Sequence, residues 1–149
     1  MPTVIEIIIH PTTTRHKKRQ YQFTPKHHGG DPGAACWLVE LTFDEEFSVF
    51  DDADYGESCD DDGNLYGVKK TDEGGLRYLG TWNQQVAEFP VARDGEPWHG
   101  YPLWPLNQLA PENRRGEKMR PDKIVFDRLR RANLISKQQR KRLMKGDEV

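Results

Sequence analysis

The sequence predicts an α+β fold in one domain spanning residues 1–149. It comprises an antiparallel β-sheet or meander over 3–90, an aromatic Pro-rich strap over 91–120 and a C-terminal basic helical hairpin over 121–145. Three observations carry this expectation. Short β-branched and aromatic runs recur between Gly-punctuated turns in the first half, at the roughly 8 to 12 residue spacing of antiparallel strands. Proline and tryptophan then concentrate over 97–106. Beyond 120 the punctuation becomes helical, with Pro121, Asn133, Ser136 and Gly146 at start and stop positions.

In chain order, Ile5, Ile7 and Ile9 lie on one side of a first strand and Val4, Glu6 and Ile8 on the other. Arg19, Tyr21 and Phe23 form its return partner, which makes 11–18 a basic hairpin loop. The clearest period-two alternation is Trp37, Val39, Leu41 and Phe43 against Leu38, Glu40 and Thr42, predicting a strand that Phe47, Val49 and Phe50 continue after a turn. Residues 51–64 read as an acidic loop, followed by strand candidates at 65–69 and 76–82. Residues 84–89 are open between a helical turn and a strand.

Three prolines within nine residues of the strap, Pro97, Pro102 and Pro105, exclude a regular helix and a central strand, because each removes a backbone donor and restricts its predecessor. Its apolar side chains, Trp98, Tyr101, Leu103, Trp104 and Leu106, predict an ordered segment wrapped across the sheet. Pro121 and Asp122 suit a helix start, and Val125, Phe126 and Leu129 give a narrow apolar face. Asn133 suits a left-handed stop, Ser136 with Gln139 matches a capping box, and Gly146 ends the second helix.

Charge is the most informative functional feature. The chain totals −2, yet residues 38–97 carry 16 acidic and 4 basic side chains, and residues 113–145 carry 13 basic and 3 acidic. Such asymmetry points to an anionic partner or to one region screening the other. The hairpin is the leading candidate site: Arg128, Arg131, Lys137, Arg140, Lys141 and Arg142 suit phosphates, Gln138 and Gln139 suit base edges, and Arg15, Lys17, Lys18 and Arg19 add a second basic patch. The plain alternative is a solvated basic helix docked on the protein's own acidic face. That face, Asp51, Asp52, Asp54, Asp60, Asp61 and Asp62, can instead dock a basic partner protein.

Other chemistries fit less well. Aligning Gly63 with the glycine of a calcium loop puts Ser58 at the first ligand position and Lys69 where a glutamate is needed. His27, His28 and Cys36 lack a second ligand pair for zinc. Cys36 and Cys59 read as free packing thiols. His99, between Trp98 and Gly100, is the one residue on which a small metal-independent nuclease could be built, with nearby Arg or Lys stabilising the phosphorane. Phosphate-loop, dinucleotide-fold, nucleophile-elbow and zinc-protease motifs are absent from the sequence.

The sequence-based expectation is therefore a cytoplasmic, non-enzymatic binding protein without metal or cofactor and without a membrane span. Its partner is nucleic acid or, second, an acidic protein surface. A nuclease using His99 and an adaptor or inhibitor acting through the acidic face are the alternatives.

Overall fold

The longest element forms where Thr42 and Glu45 close a capping box, each side chain bonding the other's backbone N–H at 3.1 Å. In the computed structural model, which describes residues 11–24, 27–28, 36–103, 122–147 and 149, helix α1 runs Phe43–Gly56. Its buried positions Glu46, Val49, Phe50, Ala53 and Asp54 follow the i, i+3, i+4, i+7, i+8 stripe of a helix lying on a core. Glu57, in the left-handed conformation, stops it.

The fold is α+β. β1 (Thr12–Thr13) and β2 (Gln20–Tyr21) form a short antiparallel ribbon. β3 (Leu65–Gly67), β4 (Ala87–Phe89) and β5 (Tyr101–Pro102) form an antiparallel sheet in the order β3-β4-β5. Helices α2 (Lys123–Arg131) and α3 (Lys137–Met144) follow.

Strand alternation assigns the two faces of the three-stranded sheet to different layers. Leu65, Ala87 and Phe89 meet Val49, Phe50 and Ala53 of α1 in one core that also encloses Tyr21 and Trp37. Tyr66, Val86 and Leu103 point the other way, to Val125, Phe126 and Leu129 of α2 and Leu143 of α3. The sheet is thus sandwiched between an acidic helix and a basic helical pair. Close approach is required on the α1 side, where a β-carbon on Gly67 would stand 2.6 Å from the Val49 carbonyl oxygen.

Several expectations are corrected here. The alternation over 37–43 does not make a strand: Trp37 forms one isolated bridge with Gly80, Val39 and Glu40 lie in an exposed turn, and Phe43 opens α1. Asp51, Asp52 and Asp54 therefore sit on a helix rather than in a loop, because the capping box and the helical stripe from Glu46 outweigh the short alternation before them. β2 pairs with Thr12–Thr13, inside the segment read as loop, and the strand expected over 4–9 lies outside the described residues. Residues 76–82 contribute isolated bridges at Leu76 and Gly80 only. Of the strap, Trp98 packs against the first core, Tyr101 and Pro102 add the edge strand β5, and Leu103 is buried, while Trp104 and Leu106 lie outside the described residues.

Candidate functional site

Local chemistry builds the basic pair much as its sequence suggests. Asp122 precedes α2, Asn133 turns the chain with φ of 61°, and Ser136 and Gln139 form the capping box that opens α3. At the far end Gly146, with φ of 77°, donates to the Leu143 carbonyl and Asp147 donates to that of Arg142, the two bonds of a Schellman stop. Gln85 then grips Val149, accepting from its N–H and donating to its carbonyl, both at 2.7 Å.

Packing sorts the hairpin's polar residues into two sets. Arg128 turns inward, its Nη1 donating to the Cys59 carbonyl at 2.6 Å and facing Cys59 Sγ at 3.3 Å. Arg140 reaches back across the pair to Asp127 at 2.7 Å. Gln139 is only 8% exposed: its amide donates to the Gly74 carbonyl and accepts from Ser136 N–H, both at 2.8 Å. It is thereby spent within the fold and faces no base edge. The other set, Arg130 and Arg131 on α2 and Lys137, Gln138, Lys141 and Arg142 on α3, is exposed. Lys123, Arg130 and Lys145 extend the exposed cationic surface beyond the residues singled out from sequence.

The second basic patch and the acidic face meet each other. Arg15 donates its backbone N–H and its Nε to Asp51 and its Nη2 to Asp52 at 2.9 Å. Lys17 N–H and Arg19 Nη1 reach the two oxygens of Asp54, whose side chain is fully buried, at 3.1 and 2.7 Å. Lys17 Nζ pairs with Glu57 at 3.2 Å. The last turn of α1 has no basic residue of its own, so these cations offset both its carboxylates and the negative end of its dipole. Burial pushes Asp52 above the usual carboxylate range despite Arg15 beside it, and Lys17 holds Glu57 below that range. Lys18, with φ of 57°, stays exposed at the tip.

The remaining acidic candidates diverge. Asp60 folds a turn on itself, accepting from Asp62 N–H, Asn64 N–H and Nδ2, and the Tyr66 hydroxyl at 2.9 to 3.2 Å. Partial burial alone would raise its carboxyl, yet these bonds outweigh it and hold Asp60 below the usual range. Asp61 and Asp62 are exposed. Among the described residues no three His, Cys, Asp or Glu side chains are grouped to hold a metal ion. His99 is exposed.

Two buried polar clusters escaped sequence reading. Glu46 accepts from the Tyr21 hydroxyl and faces His28 Nε2 at 2.5 Å, while His28 Nδ1 donates to the Thr24 carbonyl at 2.5 Å. Register also aligns Tyr66, Glu88 and Tyr101 as one row across β3, β4 and β5. Glu88 is 6% exposed, and its Oε2 finds no hydrogen-bond partner among the described residues. Burial pushes its carboxyl above the usual range, opposed by hydrogen bonds from Tyr66 and Tyr101 and reinforced by the Asp60 charge. A buried charged residue on a strand gives no periodic signal, which is why spacing could not flag it.

Compared with protein-family models, curated proteins and solved structures, the chain matches none. Among the described residues no helix is long and apolar enough to cross a membrane.

Proposed function

We propose that the protein is a non-enzymatic binding protein whose α2–α3 pair engages nucleic acid through its exposed cations. One observation carries this reading. Arg15, Lys17, Arg19, Arg128 and Arg140 each pair with a group of the protein itself, whereas Arg130, Arg131, Lys137 and Lys141 lie exposed on one helical pair. Phosphate recognition needs cations in that state, held on a fixed scaffold and available to an outside anion. The basic loop contributes less to this reading, since its Arg and Lys side chains at 15, 17 and 19 pair with carboxylates of α1 and Glu57 and leave Lys18 at the tip.

Titration of labelled nucleic acid at several salt concentrations tests the proposal. Affinity should fall with salt at a log-log slope of about −0.9 per phosphate contact on duplex DNA. The triple change Arg131→Ala, Lys137→Ala and Lys141→Ala should reduce that slope by up to about 2.7 if all three touch phosphates. Wild type that fails to bind near physiological salt, or a triple variant that binds unchanged, would sink the reading and leave an acidic protein surface as the partner to examine.

A further inference from the structure

We infer that the partner of the α2–α3 surface is a double-stranded nucleic acid, held by its phosphate backbone, rather than a single strand; the inference rests on the function proposed above. The decisive feature is what the surface lacks chemically. Proteins that hold single strands combine cations with exposed aromatic rings, because each stacked base contributes about 1 to 3 kcal/mol that a flexible strand otherwise forgoes. Residues 122–147 contain one aromatic side chain, Phe126, and it is 2% exposed beneath α2. Among the described residues of the α2–α3 pair itself, the exposed face therefore offers charge without a stacking platform.

The way the charges are held argues in the same direction. Lys137 and Lys141 are separated by four residues, a rise of about 6 Å along the helix, and Gln138 and Arg142 form the neighbouring row at the same spacing. Arg130 and Arg131 stand at the end of α2, across the turn from the start of α3. The pair is braced by the Arg140 to Asp127 bridge, the Ser136 capping box and the Gln139 bond to Gly74. A rigid array of point charges complements a stiff duplex, which carries one charge per roughly 1.7 Å of axis and stays straight over about 150 base pairs. With Gln139 engaged inside the fold, base-edge amides on α3 reduce to Gln138, so backbone contacts dominate.

The test compares full-length protein binding to one duplex DNA, a duplex of scrambled sequence, the matching RNA duplex and each separated DNA strand, at one ionic strength. Either duplex DNA should bind at least about tenfold tighter than its strands, with the scrambled duplex within about threefold of the first. The RNA arm reports whether B-form or A-form backbone is preferred, and binding of either duplex above the strands supports the inference. A single strand bound as tightly as the duplexes overturns it while leaving nucleic-acid binding intact. Absence of binding in every arm removes the parent reading, and this one with it.

Discussion

Replacing Glu88 with Gln should stabilise the protein, and increasingly so as pH rises. The carboxyl lies in a row between Tyr66 and Tyr101, 6% exposed, with Oε2 unpartnered among the described residues. Because burial raises its folded-state pKa above the unfolded value, the protonated form is the one the fold favours. Its stabilising contribution is complete below the unfolded pKa of about 4.3 and is lost as pH climbs through the raised folded value. Glu88→Gln supplies a neutral group at every pH, and its amide nitrogen can donate to either tyrosine hydroxyl. Relief of a buried polar atom without a partner is worth about 1 to 3 kcal/mol, or roughly 2 to 10 °C in melting temperature for a chain of this size. Thermal melts of both proteins from pH 4 to pH 8 should show curves that nearly coincide at the acid end and separate towards neutrality. A variant that is less stable at pH 8, or a difference independent of pH, would refute the assignment of Glu88 as a destabilising buried acid.

Two further outcomes are expected. Gly67→Ala drives a β-carbon to within 2.6 Å of the Val49 carbonyl oxygen, so it should cost about 1 to 3 kcal/mol as the α1 layer is forced off the sheet, measurable by denaturant unfolding. Gln139→Ala strips the partners from Ser136 N–H and the Gly74 carbonyl, and should destabilise by about 1 to 2 kcal/mol while leaving the relative affinities for different duplex sequences unchanged.

Helix ends proved legible because capping is local chemistry. Asn133, the Ser136 and Gln139 box, and Gly146 each do in the structure what their residue types imply within a turn of the chain. The beginning of α1 was equally local, but Thr42 and Glu45 stand at the end of a run that alternates like a strand, and a window over 37–43 sees the alternation first. The helical stripe from Glu46 to Asp54 includes two carboxylates, so it looks like a charged loop unless their partners are known. Those partners are remote. Arg15 to Asp51 and Arg19 to Asp54 span 36 and 35 residues, and no spacing rule connects them. The same limit applied to the candidate site: sequence located the cations of the hairpin, but only packing separates Arg128, Gln139 and Arg140, which serve the fold, from the neighbours that face outward.

The contact between Gly56 and Ala132 ties the two charged layers together at one corner. A β-carbon on Gly56 would fall 2.6 Å from that of Ala132, so the carboxylate-rich end of α1 abuts the turn between α2 and α3. Arg15, Lys17 and Arg19 offset that end of α1, so the electric dipole of the body rests on the exposed carboxylates that remain, Asp61 and Asp62 among them, set against the exposed cations of the pair. Under the proposed function, the field of a polyelectrolyte exerts a torque on such a molecule before contact and favours arrival with the cationic pair leading. The benefit falls on the rate of productive encounter rather than on the lifetime of the complex, and it fades once added salt shortens the screening length below about 8 Å. A Gly56 substitution that pries the corner apart would then slow association at low ionic strength while leaving dissociation nearly as it was.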